Sequence, residues 1–368
     1  MSRKGRVALA VVTVLLIIGV ALRTPIRKAL RPILDPKENW DGRFPNPEGL
    51  CTDSKGNLYV GDQDTGDFFM LDRAGKTLAR FTTIDGYHDG QNRPSPFCRG
   101  LNMTAIEPRH IVAVAVHNVV EFTIDGDKAK LVRIIGSQGD KDGQMDGPEG
   151  LARDTNGDLY VTDEHNRRIN IFDKSGAFLR RFPVPQDPQT VRVVGDRVYV
   201  ALNKRNYLAA YSKDGAELFR IGTAALFPLF SWIAAIAAPL ALAVLLILKR
   251  RKTAFVAAGA ILLLAMLGSS IDYWHHDQPG QFRLPDFIAP SQDGKSLYIT
   301  DRGNGRIQQV DLDGRLINCF GSYGKGPGQL RDPKDIVFDL DGNLIVADSG
   351  NHRLQVLTPE GKHLRSIE

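Results

Sequence analysis

From residue 46 onward the chain alternates short apolar runs with polar turns that end in glycine. Residues 147–182 read "GPEGLARDTNGDLYVTDEHNRRINIFDKSGAFLRRF", and three other stretches, 46–81, 284–320 and 332–367, follow the same order of apolar and polar positions. Each has a Pro-x-Gly-like entry, a D-x-x-G turn, an apolar "LYV"-type strand, a polar turn, a further strand, a glycine turn and a last strand. Runs of four to eight β-branched and aromatic residues bounded by such turns predict strands. Weaker copies cover about 95–135 and 187–222. The turn before the last strand ends at Gly75, Gly126, Gly176, Gly215, Gly314 and Gly361, giving spacings of 51, 50, 39, 99 and 47 residues. The spacing of 99 falls to about 50 once residues 223–271 are removed. One four-stranded unit cannot bury both of its faces, whereas six arranged radially can, so the period predicts an all-β, six-bladed β-propeller.

Three apolar runs interrupt this pattern. Val7 to Leu22 has sixteen residues, Thr223 to Leu248 twenty-six without a charge, and Thr253 to Ile271 nineteen. The latter two reach the roughly 20 residues a spanning helix needs. They are apolar on every face rather than along one stripe, which favours lipid over a buried soluble hairpin. The first run is expected to be an uncleaved anchor, because Arg23, Arg27, Lys28 and Arg31 follow it closely. The expected organisation is an N-terminal transmembrane anchor and basic flank (1–37), four blades (38–222), an inserted two-helix transmembrane hairpin (223–271) and two further blades (272–368). "KRRK" at 249–252 and "MSRKGR" at the start are retained on the cytoplasmic side. Both blade segments then lie on the non-cytoplasmic side of a cell membrane, as expected of a multi-pass protein of the bacterial cytoplasmic membrane. The cations at 23–31 argue mildly for the opposite orientation.

Charge sharpens this division. The chain of 368 residues has a formal net charge of +5. Setting aside residues 1–37 and 249–252 leaves 35 cations against 41 acids. A propeller of that balance lacks the basic footprint of a nucleic-acid binder. The expected partners are therefore the lipid bilayer and a protein, peptide or envelope ligand.

The turn between second and third strands repeats a D-x-x-N-x-R triplet: Asp163-Asn166-Arg168, Asp301-Asn304-Arg306 and Asp348-Asn351-Arg353. With the glycine-rich linkers "GSQGDKDGQMDGPEG" and "GSYGKGPGQLRDP", these residues resemble the NHL-repeat family over nearly all of 46–368 outside the hairpin. The resemblance implies a six-bladed β-propeller, but no single activity. Members include sensors, protein-binding platforms and peptide-processing lyases with zinc. The triplet is expected to be structural, with Asn taking a left-handed turn position and Asp bonding the turn or the Arg. It degenerates in the first blade (Asp62, Thr65, Asp67), the fourth (Leu202, Arg205, Tyr207) and the second, where only "HNVV" from His117 remains.

The residue after each blade's first proline is expected to face the channel mouth. That rule picks Glu48, Arg99, Glu149, Gln189, Asp286 and Lys334 as candidate ligand-binding residues, with the second blade placed by Gly100-Leu101. Such a ring suits a polar ligand or a divalent cation, and the plainer alternative is a solvated channel. A zinc site is not expected. His165 and His352 fall in polar turns, and the adjacent His275 and His276 point opposite ways in a regular strand. Asp140, Asp142 and Asp146 resemble a calcium loop without its later Glu. Cys51, Cys98 and Cys319 form no CxxC pair and read most simply as free thiols, with Cys51–Cys98 the one conceivable bridge. Neither a metal nor a cofactor is called for, and no catalytic motif appears. The favoured function is a binding or sensing platform. The alternatives are a metal-dependent propeller lyase or hydrolase, and a structural subunit of a membrane complex. The junctions that carry the apolar runs fall on the same face as the mouth ring, which would turn that face toward the bilayer.

Overall fold

The turn chemistry of the repeat sets its strands. In the first turn of blades 1, 3 and 6, Asp53, Asp154 and Asp339 each accept backbone N–H groups two and four residues ahead, at 2.8–3.0 Å. The glycine that closes each of these turns has φ between +81° and +89°. That conformation costs glycine little and other residues much.

The computed structural model describes residues 43–87, 102–222 and 278–368. It forms six four-stranded antiparallel sheets, each assembled in chain order from first strand to fourth. The blades span 47–81, 103–135, 148–183, 190–221, 285–320 and 333–367. The first strand of every blade packs against the first strands of both neighbours, so six first strands ring one axis. The arrangement is a six-bladed β-propeller.

The core is correspondingly divided into six apolar layers, each shared by two adjacent blades. Tyr59, Phe68 and Met70 of blade 1 meet Ile111 and Phe122 of blade 2 in one layer. Leu50 and Val60 of blade 1 meet Ile345 and Val356 of blade 6 in the layer that closes the circle. Among the described residues no strand is exchanged across this seam, and blade 1 and blade 6 are each built from contiguous chain. Among them the ring closes by side-chain and backbone contacts.

The D-x-x-N-x-R triplet is a clamp on the linker that enters blades 3, 5 and 6. Asp163 accepts the Asp146 N–H at 2.8 Å and Arg168 Nε at 2.8 Å. Arg168 in turn donates to the Asp140 carbonyl at 2.6 Å and the Gln144 carbonyl at 2.8 Å. Asp301–Arg306 grips the Gln278 and Gln281 carbonyls, and Asp348–Arg353 the Gly326 and Gln329 carbonyls, in the same way. The left-handed position is not the Asn, as the sequence suggested, but the residue after it: Arg167, Gly305 and His352. Asn166 and Asn351 instead spend their amides on the Asp and on a linker carbonyl. Blade 1 keeps the Asp, as Asp62, and reverses the charge only at the Arg position. Asp67 stands at the Arg position, and Arg80 from the outer strand supplies the cation.

The apolar runs at 7–22, 223–248 and 253–271 lie outside the described residues. Among the described residues no helix is long and apolar enough to cross a membrane. Arg99, Cys98, His275 and His276 also lie outside them. Cys51 is a buried free thiol and Cys319 a partly buried one. The calcium-like acids do not converge: Asp142 pairs with Arg181 at 3.2 Å, and Asp146 faces His165 at 3.4 Å.

Candidate functional site at the mouth of the propeller

A β-bulge creates the mouth ring. In blades 1, 3, 5 and 6 the ladder between first and second strands slips just after the opening proline. A bulge re-aims the side chain it carries, and the residues it carries here are Glu48, Glu149, Asp286 and Lys334. Lys334 Nζ donates to Glu48 Oε1 at 2.8 Å, joining blade 6 to blade 1. Asp286 sits 3.4 Å from Arg302, whose guanidinium also pairs with Asp332. Glu48, Asp286 and Lys334 are buried, while Glu149 and Gln189 are partly buried. Among the described residues the mouth is thus more deeply covered on the side of blades 5, 6 and 1 than on the side of blades 3 and 4.

Blades 2 and 4 lack the bulge at this point. Blade 4 brings Gln189 to the rim, and blade 2 brings Asn102 to the axis. Asn102 is fully buried, and its amide donates to Thr190 Oγ1 of blade 4 at 3.1 Å. That bond passes over blade 3, where Gly150 leaves the space. A Cβ at Gly150 would lie 2.6 Å from the Gln189 carbonyl oxygen and from Thr190 Cα.

A second polar layer lies beneath. Asp335, next to Lys334 in sequence, accepts the backbone N–H of Leu50 in blade 1 and of Ile336, both at 2.7 Å. Arg192 donates to the Leu151 carbonyl at 2.9 Å and lies over the Phe287 ring. Asp335, Arg192 and Cys51 interact electrostatically although they come from blades 6, 4 and 1. Sequence reasoning named none of these three, nor Asn102 or Arg302, as site residues. Asp335 carried a signal, since it is an acid at the position of the glycine in "PEG".

Burial dominates the ionisation of these groups. It raises Glu149 to about 8, reinforced by Glu48, Glu164 and Asp286 and opposed by Lys334. It raises Asp286 to about 6, against Lys334 and Arg302, and Asp335 to about 8, against Arg192 and its two N–H donors. Burial also works to discharge Lys334, but Glu48 and Asp286 outweigh it and keep its pKa above the ordinary value. The Cys51 thiol is pushed well up by burial, then by Asp335 and Asp53, and so is a poor nucleophile.

These shifts carry a stability consequence. Unfolded carboxyls titrate near 4, so between about 4 and 8 the folded chain holds more protons than the unfolded one. Stability therefore falls as pH rises through that window. The urea midpoint is expected to be higher at pH 5.5 than at pH 8.5. Glu149→Gln, read by circular dichroism at both values, is expected to narrow the gap.

Among the described residues no group of three or more His, Cys, Asp or Glu is placed to hold a metal ion. What the mouth offers instead is polar recognition. Among the described residues it has two ion pairs, Lys334 with Glu48 and Arg302 with Asp286, partly buried Glu149 and Gln189 on its less buried side, and two buried oxygens without a partner, Glu48 Oε2 and Asn102 Oδ1.

The NHL repeat profile matches residues 145–172 and 330–357. A 90-residue stretch is 32% identical to the protein brain tumor of Drosophila melanogaster, covering 24% of this chain and 9% of that protein. A 92-residue stretch is 28% identical to NHL repeat-containing protein 3 of Homo sapiens, covering 24% of each. The chain thus matches no more than about a quarter of these relatives. Among solved structures, a streptogramin B lyase is 12% identical over 89% of this chain and 84% of its own, with a TM-score of 0.52. A protein of unknown function from Bacteroides thetaiotaomicron is 12% identical over 86% and 70%, with a TM-score of 0.54. At that identity the likeness is one of fold alone. The chain carries NHL repeats, and they build a six-bladed β-propeller.

Proposed function

We propose that this chain is a membrane-tethered recognition platform whose propeller, held on the non-cytoplasmic side, binds a protein, peptide or envelope ligand at the mouth of its axis. The observation that carries this reading is the mouth itself. Four bulged first strands bring three carboxylates and an ammonium to one end of the axis, and one buried carboxylate oxygen there is left unspent. Burying an unpaired charged oxygen costs free energy. A fold that gains nothing from it is expected to replace it, whereas a binding site uses it. The tether rests on the three apolar runs and on the cations at 249–252.

Two measurements test the reading. Asp214, almost fully exposed on the outer turn of blade 4, is changed to Cys and treated in intact cells with a membrane-impermeant thiol reagent. Labelling without lysis is expected, and labelling only after lysis overturns the localisation. Photo-crosslinking in native membranes is then compared between the wild type and Glu149→Arg. A partner captured by the first and lost from the second is expected; equal capture overturns the mouth as the binding face.

A further inference from the structure

The mouth already shows which group it accepts. The Lys334 ammonium lies against one oxygen of Glu48 at 2.8 Å, within the field of Asp286. The other oxygen of that carboxylate, Glu48 Oε2, is buried and has no partner, on a side chain only 9% exposed. Fully buried Asn102, bonded from blade 2 to Thr190 of blade 4, likewise keeps Oδ1 unpartnered. Toward the less buried side stands Glu149. Arg302 pairs with both Asp286 and Asp332, and Lys334 pairs with Glu48, which leaves Glu149 as the ring carboxyl without an ion-pair partner among the described residues. Among the described residues the ring therefore keeps one carboxyl without a counter-charge, on its less buried side, and two unspent acceptor oxygens.

Building on the mouth as the binding face, we propose that it binds a primary ammonium group, carried by a lysine side chain or by a free alkyl diamine. The ammonium enters from the side of Glu149 and Gln189 and lies between Glu48 Oε2 and Glu149. It repeats on the less buried side the pairing Lys334 makes on the more buried one. An ammonium fits better than a divalent metal. The carboxylates do not converge as a ligand set, and Lys334 stands among them as a like charge. Compact N–H donors match single acceptor oxygens.

Proton linkage gives the site a readout that an inert charged patch lacks. Four charged groups act on Glu149: Glu48, Glu164 and Asp286 raise its pKa, and Lys334 lowers it. At neutral pH Glu149 is mostly protonated, and an ammonium arriving beside it favours the carboxylate. Binding then releases a proton, and affinity rises with pH by up to about tenfold per unit below the pKa of Glu149. The amine itself stays charged, since a lysine ammonium titrates near 10.4.

The test is calorimetric titration of the full-length chain in detergent micelles at pH 6.5, 7.5 and 8.5. It uses two buffers of different ionisation enthalpy and three probes: N-acetyl-lysine amide, 1,5-diaminopentane and the uncharged isostere N-acetyl-norleucine amide. Binding of one or both amines is expected, tightening with pH and releasing a proton at pH 7.5, with none for norleucine amide. The amine that binds more tightly identifies the source. Glu149→Gln is expected to weaken binding about tenfold at pH 8.5 and to abolish the proton release, with a urea midpoint no lower than wild type to show that it folds. Failure of both amines at millimolar concentration, equal binding of norleucine amide, or unchanged affinity and proton release in Glu149→Gln each overturns the proposal. If the amines fail while Glu149→Arg still loses its crosslinked partner, the ligand class is wrong and the platform stands. If that variant keeps its partner, the mouth is not the binding face.

Discussion

Replacing Asp163 by alanine is expected to destabilise the full-length chain by about 3–5 kcal/mol, the range seen when one partner of a buried ion pair is removed. Asp163 is fully buried, and its Arg168 partner is 7% exposed. Four groups donate to this one carboxylate: the Asp146 N–H, Asn166 and Asn170 amides, and Arg168 Nε. Alanine leaves a buried guanidinium without its counter-charge and orphans the amides around it. It also frees residues 140–146, because Arg168 then lacks the anchor that holds it against their carbonyls. Asp163→Asn is expected to lie between alanine and wild type, since it keeps an acceptor but loses the charge. Changing Arg168 to Met together with Asp163→Ala is expected to recover part of the loss, because no charge then remains unpaired. Urea unfolding followed by circular dichroism reads all four proteins. A single Asp163→Ala midpoint equal to wild type would sink the clamp as a stabilising device.

Much of this architecture is legible in the chain because it is repeated. The D-x-x-N-x-R triplet and the glycine turns recur at intervals that periodic packing imposes, and their spacing locates the four strands of each blade. The ring positions were legible where a proline marks the bulge, as at Glu48, Glu149, Asp286 and Lys334. Blade 2 offered no such mark near its first strand. The strand begins at Met103, Asn102 just before it reaches the axis, and Arg99 lies outside the described residues. Asn102, Asp335 and Arg192 were not readable, because what joins them is proximity across the axis between blades far apart in sequence. The Asn of the triplet was misread for a related reason. Its preference for left-handed turns is real, but a linker carbonyl within reach gives its amide a better use, and the next residue takes the strained conformation.

Blade 1 shows how far the clamp can vary and still hold. Its Asp67 reverses the sign of the charge at the Arg position, and the outer-strand Arg80 pairs with it. Blade 2 has apolar Val119 at the Arg position, and its ion pair, Glu121 with Arg133 at 2.6 Å and His110 at 2.7 Å, lies two residues further along the third strand. Both blades keep a charge pair between third and fourth strands in place of the triplet, while the residues that make it differ. Degeneration of the triplet therefore does not by itself mark functional surface.

The seam between blades 6 and 1 is where the fold is expected to be most vulnerable, and Asp335 is its test. Five interblade joints are continued by the chain, whereas this one is closed without strand exchange among the described residues. Among the contacts that close it are Lys334 with Glu48, Ser349 with the Pro47 carbonyl, Arg73 with Asp341, and Asp335 with the Leu50 N–H. Asp335 is the most deeply placed of these, and alanine there orphans two buried N–H groups, at Leu50 and Ile336. Each unsatisfied buried donor costs about 1–3 kcal/mol, so Asp335→Ala is expected to lose about 2–6 kcal/mol. Burial raises the pKa of Asp335 to about 8, so its charge adds little at neutral pH and its worth lies in its two acceptor oxygens. Asp335→Asn, with one acceptor oxygen in place of two, is accordingly expected to fall between alanine and wild type. The loss should be local before it is global. Hydrogen exchange of the first strands of blades 1 and 6 is expected to accelerate in Asp335→Ala, while that of blades 3 and 4 stays near wild type. Uniform acceleration across all six blades, or none, would show that the seam is no weaker than the joints the chain itself continues.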